Sequence, residues 1–124
     1  VPFDHPTYVL KADFFRILGH PARVRILELL RDGERTVGDL QAELGLDSSG
    51  TSQHLGALRR QALLDSRREG TSVFYRVRDP RMFQLLEVAR QVLSSNLAET
   101  RDLLDGLSEA PGAKPKRARP RSKT

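Results

Sequence analysis

Apolar residues along this 124-residue chain recur at two different periods, and each change of period marks a new element. Tyr8, Leu10, Phe14, Phe15 and Leu18 stand at helical spacings, which predicts a first helix over residues 7–18, stopped by Gly19. Pro21 suits the first turn of a second helix, where its missing N–H costs nothing. Ile26, Leu27, Leu29 and Leu30 supply the buried face of that helix as far as Asp32-Gly33. Thr36-Val37-Gly38-Asp39 has the spacing of a capping box, in which hydroxyl and carboxylate each satisfy the other residue's backbone N–H. A short third helix should follow to Leu44, closed by Gly45 in the left-handed conformation. Asp47-Ser48-Ser49 then offers several N-caps for a fourth helix, which carries Leu55, Leu58 and Ala62 on its inner face. Two short helices joined by a tight glycine turn form a helix-turn-helix.

From Leu63 to Val77 the period falls to two, and Val73, Phe74, Tyr75 and Val77 have the β-branched and aromatic character of a strand. The segment predicts a two-stranded hairpin turning around Glu69-Gly70-Thr71. After Asp79-Pro80 the helical period returns through Met82, Leu85, Leu86, Ala89, Val92, Leu93, Leu97, Leu103, Leu104 and Leu107. A helix from Pro80 to near Gly106 would be roughly 40 Å long. So long an apolar stripe exceeds what a small domain covers by itself, so it predicts a dimer seam, with the first helix helping to cover it.

Composition changes this picture at the chain's end. Beyond Leu107 the periodicity stops, and Pro111, Gly112, Pro115 and Pro120 alternate with Lys, Arg, Ala and Ser. The expected organisation is one folded domain over residues 1–107 and a basic disordered tail over 108–124. The net charge is +5, and six basic residues against Glu109 place all of it in that tail. Residues 1–107 balance to zero, so nucleic-acid binding by the folded part must rest on local patches. There is no Cys, which excludes disulfides, thiolate metal sites and thiol redox sensing. No apolar run approaches the roughly 18 residues of a membrane span. The opening Val1-Pro2-Phe3-Asp4-His5 lacks the regions of a signal peptide, so a soluble cytoplasmic protein is expected. Neither a nucleophile with a paired base nor a phosphate-cradling Gly loop is visible, and no enzyme is expected.

The stretches LGHPARVRILELL, TSQHLGALRRQALL and SRREGTSVFYRVRDP, in that order, resemble the ArsR/SmtB family of bacterial repressors over about residues 8–105. The resemblance implies an α+β, mainly helical fold: a winged helix-turn-helix with a two-stranded β-hairpin wing and a long C-terminal dimerisation helix. It further implies a homodimer, formed through the first and last helices, that binds double-stranded DNA at an inverted-repeat operator and represses transcription.

In that reading the N-terminal turn of the fourth helix enters the major groove, and short polar side chains there reach base edges. The candidates are Ser48, Ser49, Thr51, Ser52 and Gln53, with Gln53 the main reader because an amide pairs bidentately with adenine. Ser48 and Ser49 would serve equally well as helix caps only. His54 precedes Leu55 in a pair typical of the family, where a phosphate contact, helix packing or a purely structural role all remain open. Arg67 and Arg68, near the wing tip, are candidates for phosphate or minor-groove contacts. Arg59, Arg60, Arg76 and Arg78 read as a solvated face or as nonspecific phosphate contacts.

The family's metal sites do not map onto this chain. The thiolate site would fall at Arg35-Thr36-Val37-Gly38-Asp39, which has no Cys, and the long helix carries acidic residues but no His. No cofactor and no metal site are expected, with His5 or residues preceding Val1 the remaining places for an unusual one. The remaining inducers are a small organic ligand, a partner protein, or none. A rival reading is a protein-interaction module without sequence-specific DNA binding, since winged helices also bind proteins through the same surfaces.

Overall fold

The computed structural model describes residues 6–108. The tail proposed for residues 108–124 (Ser108 apart) and the metal candidate His5 lie outside them. The chain divides into two units, one reaching Leu86 and one starting at Glu87.

In the first unit α1 (Thr7–Leu18) follows the expected boundaries, and α2 (Pro21–Leu29) starts as expected but ends three residues before Asp32. His20 caps α2: its Nδ1 accepts from the Ala22 backbone N–H at 3.1 Å, just ahead of Pro21. A 3-10 turn (Leu30–Asp32) ends the helix. Both halves of the capping box form at the start of α3 (Val37–Leu44), and Gly45 closes it with φ 66°. At that φ a side chain would be strained, which is why glycine stands there. The next helix is α4 (Ser48–Arg60).

The strand β1 (Arg35–Thr36) has no forerunner in the sequence pattern. It pairs antiparallel with β3 (Ser72–Val77), whose other edge pairs with β2 (Leu64–Glu69), so the hairpin lies in a three-stranded sheet in the order β1-β3-β2. Glu69 faces Ser72 across the two-residue loop Gly70-Thr71. Gly70 has φ 62°, the positive angle that a tight hairpin turn places at its first central residue. Because side chains alternate, Leu64, Ser66 and Arg68 share one face of β2 with Val73, Tyr75 and Val77 opposite. Leu64 is buried there, and Tyr75 and Val77 pack against the core. Asp65, Arg67 and Glu69 point to the other face with Phe74 and Arg76.

Ile26, Leu27, Leu40, Leu55, Leu58 and Leu64 are essentially inaccessible and centre the core, joined by Leu18, Leu29, Leu30 and Met82. Ala62 departs from its expected place on the inner face of α4. The helix ends first: the Leu63 N–H reaches back to the Leu58 carbonyl and the Ala62 N–H to that of Arg59. This is the bonding of a Schellman motif, and it puts Ala62 on the surface with φ 60°.

The last helix is α5 (Arg81–Ser108), 28 residues long. Its first turns belong to the first unit, where Met82, Leu85 and Leu86 join the core. In the unit from Glu87, Val88, Val92, Leu93, Leu97, Leu103, Leu104 and Leu107 are all more than half exposed. No helix among the described residues is long and apolar enough to cross a membrane.

Candidate nucleic-acid interface

Asp47 is the N-cap of α4, its carboxylate accepting from the Gly50 N–H at 2.7 Å. A Cβ on residue 50 would lie 2.8 Å from that oxygen, so glycine lets the cap close tightly. With Asp47 as cap, Ser48 and Ser49 are released from that duty and stand exposed on the first turn. Ser52 and Gln53 are exposed as well. Ser49, Ser52, Gln53 and Arg60 share an outward face through their three-four spacing.

Thr51 is a correction. It is fully buried, and its hydroxyl donates to the Asp47 carbonyl at 2.9 Å, so it belongs to the core and reaches no base. The signal was present in the sequence, because Thr51 stands four residues before Leu55 and seven before Leu58, on the inner face.

His54 turns toward α2. Its Nδ1 accepts from Arg23 Nε at 3.2 Å, and its ring centroid lies 4.2 Å from that of His20. Partial burial, and then the charges of His20 and Arg23, hold its pKa below the usual imidazole value. Through this hydrogen bond His54 ties α4 to Arg23 of α2. Arg23, which also donates to the Ile17 carbonyl, has no local pattern that would have marked it as this partner.

The two wing arginines differ. Arg67 Nε lies 2.9 Å from the Glu34 carboxylate and its terminal nitrogen 2.8 Å from Glu69, while its guanidinium sits 4.5 Å above the Phe74 ring. The Arg67 hydrogen bond holds the Glu34 carboxyl below the usual range, and Arg67 itself is pushed further toward the charged form. Arg67 thus holds exposed ion pairs with Glu34 and Glu69 and stacks on Phe74 on the outer face of the hairpin. Arg76 and Arg78 are likewise tied to Asp65. Among the described residues, Arg68, Arg59 and Arg60 are in no ion pair.

Among the described residues no three His, Cys, Asp or Glu side chains are grouped to hold an ion. The paired histidines are already engaged at Nδ1 by Ala22 and Arg23.

The profile of the bacterial regulatory proteins of the arsR family matches residues 20–66, from the start of α2 into β2. The HTH-type transcriptional regulator Rv0081 of Mycobacterium tuberculosis is 47% identical over 105 residues, which span 84% of this chain and 92% of the relative. The chain belongs to the ArsR family. The crystal structure of Rv0081 superposes with a TM-score of 0.72, over 78% of this chain and 98% of that one. A probable mercury resistance operon repressor of Streptomyces lividans is 34% identical over 112 residues, 90% of this chain and 85% of its own. The homodimeric winged helix-turn-helix DNA-binding domain of Mb0332 from Mycobacterium bovis, 29% identical, superposes with a TM-score of 0.66 over 78% of this chain and 92% of that domain. This ArsR-family chain is a sequence-specific DNA-binding transcription regulator. α3 and α4 are its helix-turn-helix, and the β2–β3 hairpin is its wing.

Proposed function

We propose that the protein is a cytoplasmic homodimeric repressor that binds an inverted-repeat operator. One α4 enters the major groove of each half-site, and the half-sites lie one turn of DNA, about 34 Å, apart. The observation that carries this reading is the division of α4. Thr51, Leu55 and Leu58 seal one side into the core, while Ser48, Ser49, Ser52 and Gln53 stand exposed on the other. A rigidly backed helix that presents short polar side chains satisfies the geometric need of direct readout, with Gln53 as main reader and the serines contacting bases or phosphates.

Two further supports concern assembly and affinity. Tyr8 and Phe15 of α1 are exposed, as are Val92, Leu93 and Leu97 of α5, and apolar surface of this kind is what a second copy covers. The homodimeric Mb0332 domain points the same way. The basic residues of 108–124 add sequence-independent affinity by releasing counterions from DNA. Their removal should flatten the dependence of log affinity on log salt.

The test is selection of bound fragments from genomic DNA with the full chain, followed by a panel of operator variants. An enriched inverted repeat is expected, and Gln53→Ala should lose about 1–3 kcal/mol of discrimination at one position per half-site. Thr51→Val should keep the wild-type preference. Recovery of no common sequence would favour the protein-interaction reading, and an unchanged panel for Gln53→Ala would remove Gln53 as the reader.

A further inference from the structure

Between the last turn of α4 and the wing lies an open cleft of about 360 Å³ lined by Arg59, Ser66, Arg67, Arg68, Val73 and Tyr75. Strand alternation gives the two neighbouring wing arginines opposite duties. Arg67 is neutralised on the outer face by Glu34 and Glu69. Arg68 shares the core-facing side with Ser66, Val73 and Tyr75, where no carboxylate meets it. Arg59, exposed near the end of α4, lines the same cleft and is also without an ion pair among the described residues. Two uncompensated guanidiniums beside two hydroxyl-bearing side chains, with no acid in the lining, make a site for an oxyanion. Guanidinium forks match phosphate oxygens bidentately, and Ser and Tyr hydroxyls add single donors.

We infer that this cleft seats a DNA backbone phosphate, held by Arg59 from the recognition helix and Arg68 from the wing. The inference rests on the DNA-binding reading above and adds to it a phosphate contact shared by two elements. With α4 in the major groove, a backbone phosphate reached from both that helix and the wing would sit where this cleft opens. Its openness suits a polymer phosphate, whose affinity is shared with contacts elsewhere, better than a small free anion that would need enclosure. One phosphate gripped from both elements would fix the register of α4 along the groove without itself reading a base.

The experiment measures affinity of the full chain for a nonspecific duplex against salt concentration, so that it is independent of base reading. Arg59→Gln and Arg68→Gln should each flatten the log–log slope, by up to about 0.9 for each phosphate no longer neutralised. The double variant should lose less than the sum of the two, because both arginines serve one phosphate. Arg16→Gln, a residue paired with Asp13 on α1, gives the effect of charge alone and should change the slope least. Thermal melts establish that each variant folds. An Arg59→Gln slope equal to that of wild type overturns the inference, and so do fully additive losses, which would mean two separate phosphates. Inorganic phosphate, titrated at constant ionic strength, separates the sources. If it competes with DNA for wild type while Arg59→Gln keeps the wild-type slope, the cleft takes a free anion and the inference fails. A wild-type chain that binds no duplex at all would instead sink the DNA-binding reading, an outcome distinct from failure of the cleft.

Discussion

Two amphipathic helices of this protein leave opposite halves of themselves exposed. α4 buries Thr51, Leu55 and Leu58 within its own unit and exposes Ser49, Ser52 and Gln53. In the unit from Glu87, α5 exposes its apolar residues, among them Val92, Leu93 and Leu97. The first helix is complete as a packed element, and its exposed polar groups are available to a hydrated, charged partner such as DNA. The second holds apolar area that water disfavours, and only another apolar surface removes that cost. The difference sets the chemistry that a partner of each face would need.

Substitutions on the two helices should therefore act on different observables. The largest effect is expected for Leu58→Ala, which opens a cavity in the centre of the core and should lower unfolding free energy by about 2–5 kcal/mol in denaturant titration. A loss below about 1 kcal/mol would mean that α4 is not clamped as described. Leu97→Glu should leave secondary structure intact but weaken self-association at least tenfold, about 1.4 kcal/mol, as read by sedimentation at several concentrations. An unaltered sedimentation profile would break the comparison at α5.

Smaller effects sharpen the α4 side. Ala62→Gly should stabilise the protein by about 1 kcal/mol, because a non-glycine residue at φ 60° carries left-handed strain that glycine lacks. A fall in midpoint would show that this strain is not relieved by glycine. The smallest effect is a pH dependence. The folded-state pKa of His54 lies below the usual value near 6.5, so below pH 6.5 the unfolded chain binds a proton that the folded chain resists. Stability should fall as pH drops from 6.5 through that lower folded value and then level off. In denaturation between about pH 7 and 5, His54→Gln should show a shallower decline than wild type. Parallel curves would remove His54 as the titrating group.

Much of this design is legible in the residues because it is local. The capping box of Thr36 and Asp39, the stop at Gly45 and the turn at Gly70 each depend on one side-chain pair or one backbone angle within a few residues. The exposed Ser48, Ser49, Ser52 and Gln53 follow from the same helical period that identifies Leu55 and Leu58 as core. Thr51 misleads because a polar side chain in a polar run looks exposed, although its spacing to Leu55 is that of a buried position. Ala62 misleads for a related reason. Its four-residue spacing from Leu58 continues the helix on paper, whereas the reversed bonds of Leu63 and Ala62 end it.

The sequence by itself determined where the helices and the hairpin lie, the lack of any cysteine, and the polar face of α4, since each depends on period, capping or composition. Only the tertiary structure decided that Arg35 and Thr36 add a strand to the hairpin, that Arg23 holds His54, and that Arg67 is spent on Glu34 while Arg68 and Arg59 line one cleft. Those outcomes join residues far apart in the chain, such as Glu34 with Arg67, and a pairing of that kind leaves no periodic trace in either segment. The physical reason is that hydrogen bonds and ion pairs act over a few ångströms of space, and only the packed core brings such segments that close.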